Sequence, residues 1–203
     1  MCMTPTQRAV IDRLIEALQA MRAEDTPHML EGDGYDMEHM AKAMAGFDSD
    51  YVGAGIAGNA WLDRDGQNVK RQWFVDNVAM KKKAMADGRI KTLGGIWVDH
   101  EPTQVIGKTM FEAVPDGKQV YIMAGPVGPN AGEAMMGKRW PMSVHYLPVR
   151  NKAGEQTGIV IFENSVVVEK VERNPLTAFR VYKRESATKG AIAELYGESH
   201  DEP

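Results

Sequence analysis

The sequence predicts an α+β fold: a mostly antiparallel, barrel-like sheet with flanking helices and a helical N-terminal arm. Three observations carry this reading. Before Phe47, Val10, Ile11, Leu14, Ile15, Leu18 and Met21 recur at spacings of three and four, the stripe of an amphipathic helix. From Ile90 onward, short runs rich in valine, isoleucine and aromatic residues alternate with turn signals such as Pro115-Asp116-Gly117 and Lys152-Ala153-Gly154. Finally, 203 residues with 43% apolar and 26% charged side chains suit one ordinary domain with a small appendage.

In chain order, the arm covers residues 1–47. Its first helix runs from Thr4 to Asp25, with Thr4 as N-cap and Pro5 at the first helical position. Pro27, Gly32 and Gly34 interrupt the chain, and a second short helix follows from Asp36 to about Phe47. Seven of the fourteen methionines precede Gly46, a soft apolar surface suited both to packing on the arm's own domain and to docking on a partner. The main domain covers residues 50–185. Tyr51–Leu62 is extended and rich in glycine and alanine, Asp63–Gly66 turns, and Val69–Ala86 forms a helix that Asp87-Gly88 ends. Strands follow at Thr92–Val98, Gln104–Val114, Gln119–Ala124, Trp140–Val149, Gly158–Val171 and Ala178–Tyr182. Gly125–Gly137 reads as a loop with room for one helical turn. Residues 186–203 form a last short helix, Ala187–Gly197, and a frayed tail.

Composition removes several function classes. A formal charge of -4 argues against a dedicated nucleic-acid binder, which needs a surplus of Lys and Arg against phosphate. Lys81-Lys82-Lys83, the basic cluster, reads as one solvated helix face. A single cysteine, Cys2, excludes an internal disulfide framework and any zinc site built on several cysteines. With no run of 18 apolar residues and no apolar signal-peptide core, the expected location is the cytosol, with no membrane partner.

Gly53-Ala54-Gly55-Ile56-Ala57-Gly58 lacks the strand-turn-helix setting of a dinucleotide fingerprint. The five histidines show no short ligand spacing, so neither a metal nor a cofactor is expected. The chemistry-bearing residues are spread over three strands instead. An apolar strand, Gly95-Ile96-Trp97-Val98, delivers His100 at its end, and the chain turns at Pro102. In Trp140-Pro141-Met142-Ser143-Val144-His145-Tyr146, period two puts Ser143 and His145 on one face. In Gly158–Val171, Ile159, Ile161, Glu163, Ser165 and Val167 share a face, and a carboxylate among branched apolar side chains needs a partner. An imidazole would satisfy it. Serine, histidine and acid together make the set for acyl transfer: the base takes the hydroxyl proton, and the acid fixes the base's tautomer and supports its charge.

With these residues in place, the sequence resembles the prohead maturation proteases of tailed phages, whose fold is related to the herpesvirus assemblin protease. Trp97–Lys108 reads W-V-D-H-E-P-T-Q-V-I-G-K against the family's "W-x-H-[DE]-P-x-x-x-I-G-K". Met142–Tyr146, M-S-V-H-Y, is similar to the strand that carries the nucleophile, and Glu163-Asn164-Ser165-Val166-Val167, with Asn174-Pro175 and Ala178, to the third motif. The resemblance covers Tyr51 to Tyr182. His145 stands where the family usually has glycine, beside Ser143, and offers a second triad: assemblin-type enzymes use a histidine as third member, so His145 is the alternative to Glu163. Glu163 is preferred, because neighbours on one strand face are poorly placed to orient a base that comes from another strand. A tight hairpin at Lys152–Gly154 accounts for the short interval from Ser143 to Glu163.

The resemblance implies a serine endopeptidase with Ser143 as nucleophile, His100 as base and then acid, Glu163 orienting it, and Arg173 near the oxyanion hole. It further implies work inside an assembling procapsid in the host cytoplasm, with scaffold protein and major capsid protein extensions as substrates and a homodimer as a possible state. The rival reading is a catalytically inactive scaffold-associated or virion relative of the same fold, docking through the methionine-rich arm. A β-rich ligand-binding domain fits the composition equally well but leaves the three motifs unexplained.

Overall fold

The computed structural model describes residues 42–60, 69–168 and 177–187. The arm before residue 42, the Asp63–Gly66 turn, Arg173 and the tail after Ala187 lie outside the described residues.

Strand β1, Tyr51–Asn59, is buried along almost its whole length. It pairs antiparallel with β5 (Val120–Val127) on one side and β8 (Ala178–Lys183) on the other. Its glycines serve packing: a Cβ on Gly53 would stand 2.2 Å from the Phe179 ring. The glycine-rich run is therefore the inside of a central strand. Helix α1, Arg71–Ala86, ends at Asp87 with Gly88 at φ +70°, the left-handed exit that glycine adopts without penalty.

Next come β2 (Gly94–Val98), β3 (Glu101–Thr109) and β4 (Phe111–Ala113). The single strand expected over Gln104–Val114 is thus two, broken at Met110, whose N–H is donated to Ala124 O of β5 at 3.0 Å as the chain passes from its pairing with β2 to β5. The turn expected at Pro102 falls instead at Asp99-His100, and Pro102 lies in β3. Strand β5 runs on through Gly125 and Pro126 to Val127, beyond the expected end at Ala124. There it crosses β3 so closely that a Cβ on Gly125 would lie 1.8 Å from Lys108 O. Helix α2, Pro129–Met135, starts with proline in its first turn, where the missing N–H leaves nothing unsatisfied. The hairpin of β6 (Met142–Arg150) and β7 (Gln156–Val166) turns where expected, with Asn151 Oδ1 accepting from Ala153 N at 2.9 Å and Glu155 N at 3.0 Å.

The sheet order is β6-β7-β2-β3-β5-β1-β8, with β4 also on β5. All these strand pairs are antiparallel except β2 with β7, which is parallel. The sheet curls into a half-barrel whose outer strands meet: Trp140, just before β6, bridges to Phe179 of β8, and Met142 N donates to Thr177 Oγ1 at 3.0 Å. Two apolar clusters fill it. One gathers Phe74, Ile96, Tyr121, Met123, Ile161 and Phe179 under α1, and the other holds Val52, Ile56, Ile122 and Met44. Met44, in the helical stretch 42–45, is completely buried, and Phe47 packs beside it. The described end of the arm is therefore part of the domain core.

Lys81 corrects the reading of the lysine run as one solvated face. Lys82 and Lys83 are exposed, but Lys81 is fully buried and pairs with fully buried Glu112 of β4 at 2.6 Å. Burial lowers the Lys81 ammonium pKa and raises that of the Glu112 carboxyl, and each partner opposes the other's shift. The Tyr121 phenol beside them is pushed well above its usual range by burial and by Glu112.

Candidate active site

The site is organised by β7, which has β6 antiparallel on one side and β2 parallel on the other. The β6 register sets Ser143 opposite Ser165 and His145 opposite Glu163. Directly paired residues project to the same face with their Cβ atoms about 5 Å apart. Ser143, His145, Glu163 and Ser165 thus form one square patch. Between the His145–Glu163 and Tyr146–Ile161 pairs the register shifts, leaving Phe162 as an extra residue on β7. Ile161 N beside this bulge donates to Asn77 Oδ1 of α1 at 2.9 Å, so the helix braces β7 next to Glu163.

His100 reaches the patch from the β2–β3 turn. Val98 pairs with Glu101, which leaves Asp99 and His100 as a two-residue hairpin loop, both at positive φ (48° and 60°). That is the geometry of a type I′ turn, which matches the twist of the strands. Asp and His are among the few non-glycine residues enriched in this region, though each still costs about 1–3 kcal/mol there. Specific bonds hold the strain. Asp99 N donates to Val166 O at 2.9 Å, Asp99 Oδ1 accepts from Val168 N at 2.7 Å, and His100 N donates to Ser165 Oγ at 3.1 Å.

The Glu163 carboxylate is completely buried. One oxygen takes a direct hydrogen bond from His100 Nδ1, and the other accepts from Ser165 Oγ at 2.6 Å. A carboxylate acceptor sets the tautomer: Nδ1 carries the proton and Nε2 keeps its lone pair. Ser165 joins the backbone of the histidine to the carboxylate that holds its ring. His100 is about a third exposed at 31% and Ser143 is half-buried, while the acid is inside.

His145 lies outside this chain of bonds. Its Nδ1 is 3.8 Å from Glu163 Oε1, its ring meets that of His100 edge-on at 5.6 Å, and it rests on Phe162 at 4.6 Å. Burial lowers its pKa, which the Glu163 charge opposes and His100 reinforces. Of the residues singled out in the sequence, His100, Glu163, Ser143 and His145 come together here. Ser143 stands across from Ser165, whose hydroxyl links His100 N to the Glu163 carboxylate. The sequence reading names Ser165 as a neighbour on the strand and in the third motif, but gives neither it nor Asp99 a place in the acyl-transfer set. Both left a signal: Ser165 shares Glu163's strand face, and Asp99-His100 is a pair tolerant of left-handed backbone between two apolar strands.

No protein-family model matches the chain, and no curated protein matches it. Solved structures similar to it include the Kaposi's sarcoma herpesvirus protease in three crystal structures. With an allosteric inhibitor, the identity is 10% over 72% of this chain and 91% of that one, at a TM-score of 0.38. With a hexapeptide phosphonate inhibitor, it is 9% over 73% and 76%, at 0.39. A room-temperature structure with allosteric compound 250 gives 10% over 75% and 95%, at 0.37.

Proposed function

We propose that this protein is a serine endopeptidase that uses Ser143, His100 and Glu163. The observation that carries the proposal is the His100–Glu163 pair, an imidazole about a third exposed and fixed through Nδ1 by a buried carboxylate, with Ser143 on the neighbouring strand. Such a histidine is held in the tautomer a general base needs. Ser143 Oγ attacks the scissile carbonyl carbon while its proton passes to His100 Nε2. The imidazolium that forms is stabilised by Glu163, and its proton is given to the leaving amine as the C–N bond breaks. Water then repeats the sequence on the acyl-enzyme, releasing the acid and restoring Ser143. Arg173 is the proposed oxyanion donor.

The sequence motifs supply the setting: cleavage of scaffold protein and major capsid protein extensions inside an assembling procapsid in the host cytoplasm. The test is covalent labelling of the full chain by a fluorophosphonate, read by mass spectrometry. The adduct should sit on Ser143, vanish in Ser143→Ala and form far more slowly in His100→Ala. A folded chain that takes no label, and keeps its mass when concentrated with scaffold protein, would be the inactive relative instead.

A further inference from the structure

His145 has no part in the hydrogen-bond chain from Ser165 through Glu163 to His100, yet its imidazole points at the same carboxylate. Ligand-type atoms of His100, His145 and Glu163 all lie within 4.8 Å of one another. The three side chains come from the β2–β3 turn, β6 and β7, which is why no ligand spacing is visible along the sequence. We propose that they form a binding site for a divalent transition-metal ion of the Zn2+ class, and that its occupancy switches the endopeptidase off; the switch rests on the proposed function, the metal site does not.

Two imidazoles and one carboxylate are a zinc ligand set, and a fourth position open to water completes a tetrahedron. Ligands about 2.0–2.1 Å from one tetrahedral ion stand roughly 3.3 Å apart. The 3.8 Å between His145 Nδ1 and Glu163 Oε1 is close to that span. His100 and His145 are 31% and 46% exposed, so an ion can enter from solvent. Ser165 Oγ already holds Glu163 Oε2, leaving Oε1 for the metal and fixing the carboxylate's orientation, as outer partners of metal ligands do. Nitrogen donors favour Zn2+ over the hard ions Mg2+ and Ca2+.

The consequence for catalysis follows from proton bookkeeping on one ring. In the metal-free site, His100 carries its proton on Nδ1 and offers the Nε2 lone pair. When the ion takes Nδ1, the hydrogen bond to Glu163 opens to admit it, and the neutral imidazole must carry its proton on Nε2. No lone pair then remains to accept the Ser143 proton, and no group is oxidised or reduced.

The test is calorimetric titration of the metal-free full chain with ZnCl2, which needs no activity. One ion should bind per chain, with Mg2+ and Ca2+ giving no heat. His145→Ala and His145→Gln should each weaken that site at least about tenfold while leaving the circular dichroism unchanged. Zn2+ should also block fluorophosphonate labelling of Ser143, and a chelator should restore it. Absence of saturable binding, or equal binding by the wild type and both variants, would overturn the proposal. Site-specific binding in a chain whose Ser143 never labels without metal would overturn the switch and the hydrolase reading while upholding the metal site.

Discussion

A carboxylate shut away from water persists only while donors replace the solvent it lost, and Glu163 has two, His100 Nδ1 and Ser165 Oγ. Glu163→Gln keeps the shape but offers an amide that no longer fixes the Nδ1–H tautomer. A loss in kcat on the order of 10³–10⁴-fold is expected, as when a triad acid becomes its amide. His145→Ala should cost far less, because His145 does not hold the base. Measured on one peptide substrate, the reverse ranking would make His145 the third member. Ser165→Ala should lower kcat with KM unchanged, since it releases the acid and the base's backbone without touching substrate. A second residue-level prediction concerns pH. Because burial lowers the His145 pKa below its ordinary 6.5, the unfolded chain takes up that proton first as pH falls. The folded state therefore loses stability progressively below about pH 6.5, and none of this penalty is present above it. Urea midpoints at pH 7.5 and 5.5 should differ more for the wild type than for His145→Ala.

The elements place these residues by devices of unequal visibility in the sequence. The β6–β7 hairpin was legible, because Lys152-Ala153-Gly154 is a turn signal between two apolar runs and period two then fixes which residues share a face. The position of β2 was not, since its parallel pairing to β7 joins segments far apart in sequence and no local pattern encodes that. The β2–β3 turn was misplaced for a related reason: Pro102 is the stronger local signal, but strand pairing selects Asp99-His100. Helix α1 misled in the same way. Its lysine run has the look of a solvent face, yet Lys81 is turned inward by the helical period and meets Glu112. Removing one member of such a buried pair strands the other's charge, which typically costs about 3–5 kcal/mol. Lys81→Met or Glu112→Leu alone should therefore lower stability by that order in chemical denaturation, and the double substitution by much less. A double loss equal to the sum of the two single losses would mean that the pair is not coupled.

At the scale of the whole molecule, one contact joins the outer strands of the half-barrel and another pins the segment that leads into it. Trp140 bridges β8 across the gap between the outer strands. Just past the Tyr51–Lys183 pair that ends the β1–β8 ladder, Arg184 N donates to Asp50 O at 2.9 Å and Arg184 Nη1 to Phe47 O at 2.9 Å, tying the 3₁₀ turn Arg184–Ser186 to the segment that enters β1. Together with the burial of Met44, these contacts put residues 42–47 on the main domain's side of any division from the arm. The sequence carries an apolar stripe from Val10 to Met21, but periodicity does not tell where an arm stops serving its own core, because partner-facing and core-facing stripes look alike. Met44→Ala should cost about 2–5 kcal/mol, the usual range for truncating a buried methionine. Val168→Ala, at a position 53% exposed, should change stability by no more than about 0.5 kcal/mol. The same logic separates two truncations. A chain starting at Lys42 keeps Met44, Phe47 and the Arg184 contact, and should still label at Ser143 with fluorophosphonate. A chain starting at Asp48 loses all three and should unfold at markedly lower urea. If both truncations unfold together and well below the full chain, the stripe from Val10 to Met21 covers the sheet and the arm is core throughout. If both match the full chain, Met44 contributes nothing to the fold.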